Sequence, residues 1–273
     1  MKRTVVSLLT AAALAAAFNQ TVNASPRREP AKPASSSVLT VGATAVPHAE
    51  LLNLVKPDLA AQGIDLKVVE FTDYVAPNSA LIAGDLDANY FQHLPYLESN
   101  PEWKAALLPA FGVHVEPLGL YSKSAANAAD LTDGAGIAIP NDPSNGGRAL
   151  LLLQSKGFIA LNPDAGLRAT PLDITDNPKN FRFYELEAAQ LPRSLGDVDA
   201  AVINGNYALE AGYNPAKDAL LIEGADSPYV NYVVVKRGNE NDPRIKALEA
   251  ALCSQKVKDY IDKTWNGSVL AVF

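Results

Sequence analysis

The sequence is short of the residues on which most enzyme and metal chemistry depends. Its 273 residues include one cysteine, Cys253, and three histidines, His48, His93 and His114. A single thiol excludes an internal disulfide, so stability must come from a core that a chain of this length can build. Cys253 falls in a helical pattern, Leu248–Asp262, with no reactive partner nearby, and reads as buried filler. There is no Gly-x-Ser-x-Gly elbow and no Cys/His pair with a nucleophile signature. No His, Cys and carboxylate residues recur at zinc-ligand spacing. The glycines of NDPSNGG (141–147) fit neither the Walker loop nor the dinucleotide fingerprint. We therefore expect no catalytic residue, no metal and no cofactor. Runs of Lys or Arg are missing too. With a formal net charge of −7, this argues against nucleic acid and anionic membrane surfaces as partners.

Long apolar runs are absent except at the start. Lys2 and Arg3 precede an apolar stretch from Val5 to Phe18, followed by the small-residue pattern Val22-Asn23-Ala24. That order is the layout of a cleavable secretory signal, which we place at 1–24. The stretch falls short of the roughly 20 apolar residues of a membrane span. Residues 25–37 (SPRREPAKPASSS) are rich in Pro and Ser and read as a flexible tail.

Beyond residue 37 the sequence alternates between strand and helix patterns. VLTVGAT (38–44) reads as a strand, Pro47 opens a helix to about Ala61, and DLKVVEF (65–71) is a second strand. This is the strand–helix–strand unit of a parallel sheet. GAGIAIP (134–140), DAAVING (199–205) and VNYVVVKR (230–237) are further strands, and RALLLLQSKG (148–157) reads as a helix opening from the 141–147 loop. The pattern predicts an α/β fold of two lobes, with 38–122 and 230–273 in lobe 1, 123–229 in lobe 2, and a ligand cleft between them.

Binding features are stronger than catalytic ones. Arg148, placed just after Gly146-Gly147 at an expected helix N-terminus, could join free backbone N–H groups in holding a carboxylate. An Arg paired with a surface acid is an equally good reading. Tyr74, Tyr90, Phe91 and His93 lie near one set of strand ends, and Asn204, Asn206 and Asn231 near another. Together they could line a pocket with an apolar wall and an amide-lined end, suited to a zwitterion with an apolar side chain.

At these residues the chain resembles a known family. VGATAVPHAE, DYVAPNSALIAGDLDANYFQHLPYLE, AIPNDPSNGGRALLLLQ, ELEAAQLPRSL and DVDAAVINGNYALEAG resemble the methionine-binding lipoprotein family (NlpA/MetQ), from about Val38 to Phe273. The resemblance implies a two-lobed periplasmic-binding-protein fold that captures methionine and passes it to the membrane permease of an ABC importer. It implies Tyr74, Phe91 and His93 as the wall on the thioether, Arg148 on the carboxylate, and Asn204 and Asn231 on the amino acid backbone. Asn145 and Tyr90 are second-tier positions. One departure stands out: family members carry a lipobox cysteine after the apolar signal region, and no cysteine precedes Cys253 here. We therefore expect a periplasmic protein without a lipid anchor. The alternatives are a binder of another apolar amino acid or a methionine-containing dipeptide, a periplasmic enzyme acting on an amino-acid derivative, and a surface-exposed structural role.

Overall fold

The computed structural model describes residues 37–224 and 227–273. The expected signal, 1–24, and all of the expected tail except Ser37 lie outside these residues. Among the described residues, no helix is long and apolar enough to cross a membrane.

Among the described residues the strands sort into a six-stranded sheet, a five-stranded sheet and a separate two-stranded pair. The chain begins with β1 (Ser37–Thr44), α1 (Glu50–Ala60), β2 (Ile64–Phe71), α2 (Ala76–Ala83) and β3 (Ala88–His93). β1 pairs in parallel with both β2 and β3, the arrangement that helical crossovers produce. Val46 is extended and the backbone is helical from Pro47 into α1, so the helical run opens at Pro47 as expected. Two short helices follow, α3 (Leu94–Leu97) and α4 (Pro101–Ala106), and then β4 (Leu107–Val115).

The chain leaves this sheet at Glu116. β5 (Gly119–Tyr121), β6 (Gly136–Pro140) and α5 (Pro143–Ser155) open the second lobe, and β7 (Ala160–Leu161) pairs separately with β8 (Ile174–Asp176). β9 (Arg182–Leu186), α6 (Leu191–Ser194), β10 (Ala200–Ile203), α7 (Gly205–Glu210), α8 (Pro215–Asp218) and β11 (Leu221–Ile222) complete it. The second sheet has the order β11-β5-β10-β6-β9. Because β5 pairs with β10 and β11, the first crossing falls between β4 and β5, ahead of the expected boundary at 122. The chain then returns through β12 (Val230–Lys236), α9 (Pro243–Leu252), α10 (Gln255–Trp265) and β13 (Leu270–Ala271), giving a first sheet of order β13-β4-β12-β3-β1-β2.

Separate cores seal the sheets. Leu39, Val41, Leu51, Leu52, Val55, Leu66, Val233, Val235, Leu248 and Ile261 are fully buried in the first. Ile137, Ile139, Leu150, Leu153 and Val202 are fully buried in the second. Cys253 is half-buried between α9 and α10, and partial burial pushes its thiol up to about 11, so it stays protonated and inert at neutral pH.

Candidate functional site

Between the lobes lies a cavity lined by both. The first lobe contributes Phe91, Gln92 and His93 from β3, Tyr74 and Tyr96 from the loops beside it, and Asn231 from β12. A regular strand would turn every second side chain away. Here the pairing of β3 with β12 runs His93 to Asn231, Gln92 to Tyr232, then Tyr90 to Val233, so Phe91 is an extra residue in a bulge. The bulge re-aims the strand so that three consecutive residues reach the cavity. The second lobe contributes Asn145 and Arg148 from α5, and Asn204, Gly205 and Asn206 from the end of β10 and the start of α7. Glu116, in the first crossing, completes the lining.

Eight of the nine residues picked from the sequence therefore meet in one cavity: Tyr74, Phe91, His93, Asn145, Arg148, Asn204, Asn206 and Asn231. Tyr90 does not. It precedes the bulge, is fully buried in the first core, and its hydroxyl donates to His114 Nδ1 at 2.5 Å.

Arg148 differs from its expected setting. The helix begins at Pro143, not at 148, and Asp142 caps it by accepting from the backbone N–H groups of Ser144 and Asn145 at 3.1 and 2.8 Å. Asp142 thus occupies the anion position of the helix N-terminus, and Arg148 sits more than a turn further in. The Arg148 guanidinium is already held. Nε and Nη2 donate to the two carboxylate oxygens of Glu223 at 2.8 and 2.5 Å, and Nη2 also donates to the Glu116 carbonyl at 2.9 Å. Its Cζ lies 4.1 Å from the centroid of the Tyr229 ring. The paired-Arg reading is therefore correct, with a partner that is 13% exposed. Arg148 still lines the cavity, with Nη1 outside these bonds.

The polar lining is connected. His93 Nδ1 accepts from the Tyr96 N–H at 3.2 Å, so its proton sits on Nε2, which donates to Asn145 Oδ1 at 3.1 Å. Burial pushes His93 down to about 3, with the Arg148 charge adding to the shift, so the ring is neutral and donates from Nε2. Asn145 Oδ1 also accepts from Asn204 Nδ2 at 2.8 Å, and Asn145 Nδ2 donates to Asp142 at 2.9 Å. Glu116 accepts from His114 Nε2 at 2.7 Å, with His48 Nε2 3.3 Å from the same oxygen. Burial raises the Glu116 carboxyl, while His48, the Asn206 backbone N–H and Arg148 pull it back.

Two lining atoms are buried without a partner among the described residues, the acceptor Asn204 Oδ1 and the donor Asn206 Nδ2. Leaving such groups unpaired is costly, so each points to a ligand atom of complementary polarity. Close to them are the carboxylate of Glu116 and the guanidinium of Arg148. Tyr74, Phe91 and Tyr96 form a separate aromatic cluster, with centroids 5.7 to 6.1 Å apart. Tyr74 joins the two parts by donating from its hydroxyl to Asn206 Oδ1 at 2.5 Å. The cavity thus offers acceptors and donors for a zwitterion beside an aromatic wall.

Sequence reading missed Glu116, Gln92, Tyr96 and Gly205. A signal for Glu116 existed: FGVHVEPLGLY (111–121) is otherwise apolar apart from His114, and an acid inside a buried run needs a partner. Gly205 lets the lobes meet, because a Cβ there would lie 2.7 Å from that of Glu116.

The family model described as NlpA lipoprotein matches residues 39–273. The D-methionine-binding lipoprotein MetQ of Escherichia coli strain K12 is 45% identical over 211 residues, 76% of this chain and 78% of its own. A solved nutrient-binding protein from Burkholderia cenocepacia, bound to methionine, is 47% identical with a TM-score of 0.83, over 86% of this chain and 100% of that one. An ABC transporter periplasmic substrate-binding protein from Coxiella burnetii is 44% identical with a TM-score of 0.81, over 86% and 100%. These findings correct one expectation. The family and its MetQ relative are lipoproteins by name, which conflicts with a protein free of a lipid anchor. That expectation rested only on the absence of a cysteine before Cys253, and such an absence does not decide how a chain is held at a membrane. A periplasmic location remains consistent with them.

Proposed function

The chain belongs to the NlpA lipoprotein family, and from that premise we propose that it is the substrate-binding component of an ABC importer, capturing methionine between its lobes. The observation that carries the reading is the pair of unpartnered atoms, Asn204 Oδ1 and Asn206 Nδ2, set beside Glu116 and Arg148 in a cavity that also carries an aromatic wall. Glu116 and Asn204 Oδ1 receive the α-ammonium group. Asn206 Nδ2, Arg148 Nη1 and Asn231 hold the carboxylate. Tyr74, Phe91 and Tyr96 enclose the thioether. Burying a methionine side chain contributes about 1.5–3 kcal/mol, and sulfur–aromatic contacts add about 0.3–1.5 kcal/mol.

The chemistry is capture and release, without turnover. The closed protein is then recognised by a membrane permease, and ATP is hydrolysed by a different subunit. Calorimetry of the untagged protein with L-methionine, D-methionine and L-leucine tests this. Methionine of one hand binds at least about tenfold tighter than leucine, and chromatography returns it chemically unchanged. A preference for leucine, or conversion of the ligand, overturns the reading.

A further inference from the structure

Behind the cavity, three side chains from two distant parts of the sequence converge on one point. His48, His114 and Glu116 are buried, and their candidate ligand atoms all lie within 4.8 Å of one another. His114 Nε2 is 2.7 Å and His48 Nε2 3.3 Å from Glu116 Oε1. We propose that these residues form a binding site for a divalent transition metal at the floor of the cavity.

The chemistry of the donor set fits. Two imidazoles and a carboxylate suit zinc, cobalt or nickel ions, and leave further positions open. Metal-bound His is normally oriented through its other ring nitrogen, and both rings have that support. Thr44 Oγ1 lies 2.8 Å from His48 Nδ1, and the Tyr90 hydroxyl 2.5 Å from His114 Nδ1. A hydroxyl can accept as well as donate. When a metal takes the Nε2 lone pairs, each ring proton moves to Nδ1 and the hydroxyl becomes its acceptor. No proton is lost from the imidazoles. Metal–ligand distances of about 2.0–2.2 Å require the three side chains to part slightly around the ion. Glu116, which lines the cavity, gives the entry path. Spacing could not reveal the site, because His48 meets His114 only when its side chain reaches from the 45–49 segment to β4 and to Asn231 on β12.

The site shares the Glu116 carboxylate with the ammonium group assigned above, so metal and methionine compete. This second half rests on the proposed function, whereas the metal site does not. The test is titration of untagged, methionine-free protein with Co(II), followed by visible absorption, and with Zn(II), followed by calorimetry. One saturable equivalent is expected, weakened at least about tenfold in His114→Ala and in His48→Gln, and at least about tenfold in Tyr90→Phe, which loses only the orienting hydroxyl. Circular dichroism melts show that each variant is folded. Absence of saturable binding, or binding that survives both histidine substitutions, overturns the site. Methionine titration in chelator is read separately, so a failed metal site and a failed methionine reading give different results. Metal that binds without weakening methionine removes the competition alone.

Discussion

Arg148 and Glu223 form a two-point ion pair, Nε to Oε1 at 2.8 Å and Nη2 to Oε2 at 2.5 Å, that joins α5 to the segment by which the chain returns to the first lobe. The same guanidinium donates to the Glu116 carbonyl, in the segment by which the chain leaves it. One side chain on the second lobe therefore ties down both crossings. Its role in ligand capture and its role in holding the lobes cannot be separated by a single substitution.

The first prediction comes from this pairing. Arg148→Ala takes the countercharge from a largely buried carboxylate, which keeps only the Leu118 N–H at 3.0 Å, and the guanidinium donor from the Glu116 carbonyl, so stability falls by about 3–5 kcal/mol. Glu223→Ala has a comparable cost from the other side. Urea denaturation of both singles and the double should show that the double costs clearly less than their sum. Additive losses would mean that the pair contributes nothing. Affinity losses in Arg148→Ala then need correction for stability before they are compared with those of Tyr74→Ala or Phe91→Ala.

The second prediction concerns the unpartnered donor. Asn206→Ala removes Nδ2 and also strands the Tyr74 hydroxyl, which donates to Asn206 Oδ1. Tyr74→Phe deletes that same bond from its other end and serves as the reference. A hydrogen bond to a charged ligand group is worth about 1.5–3 kcal/mol. Asn206→Ala should therefore bind methionine roughly tenfold to a hundredfold more weakly than Tyr74→Phe does. Equal affinity in the two variants would show that Nδ2 does not meet the ligand.

How much of the molecule was readable from residues alone depends on the kind of signal. The α/β alternation was legible because strands such as GIAIP and AAVI are continuous apolar runs. The amides and aromatics of the cavity were legible because they cluster at strand ends. Tyr90 was misplaced because it was grouped by its place in DANYFQHLPY, although strand alternation already sets it on the face opposite Phe91 and His93; the bulge at Phe91, which depends on pairing with β12, is what alternation cannot foresee. The start of α5 was misplaced because Asn-Asp-Pro-Ser-Asn-Gly-Gly reads as a turn, yet Asp142 as cap and Pro143 in the first turn are helix-starting residues. The partner of Arg148 lies 75 residues away, and the partners of Glu116 lie in the first lobe, so only tertiary contact identifies them.

The third prediction is a pH dependence of stability. His48, His93 and His114 are pushed down from 6.5 to about 4, 3 and 3. As the pH falls below about 6.5, the unfolded chain takes up protons at these rings that the folded protein refuses, so stability is lost. Glu50, Glu116 and Asp142, raised by burial, act in the opposite direction. The three rings refuse protons across the whole window below 6.5, whereas a raised carboxyl takes one up only near and below its own value, so the melting temperature should fall between pH 7 and pH 5. The slope approaches about 1.4 kcal/mol per pH unit for each net proton. A melting temperature that rises on acidification would contradict the burial of these rings.

The last prediction tests how the second lobe positions its side of the cavity. α5 carries Asn145 and Arg148, and between them Gly147 lets the helix lie against residues 167–169. A Cβ at 147 would stand 2.3 Å from the Leu167 carbonyl oxygen and 3.0 Å from the Ala169 nitrogen. These are backbone atoms, so no rotamer change relieves the contact, and the helix must move as a unit. Alanine gains about 1 kcal/mol over glycine in helix propensity, but overpacking a fixed site costs about 1–3 kcal/mol or more. Gly147→Ala should therefore be destabilised in urea and should weaken methionine binding as well, since Asn145 leaves His93 and Asn204 when α5 shifts. Gly196→Ala is the comparison: its Cβ would meet only the Arg193 carbonyl, at 3.8 Å, and stability should stay within about 0.5 kcal/mol. If Gly147→Ala matched Gly196→Ala in both measurements, close packing of α5 on this segment would not be what sets the cavity's geometry.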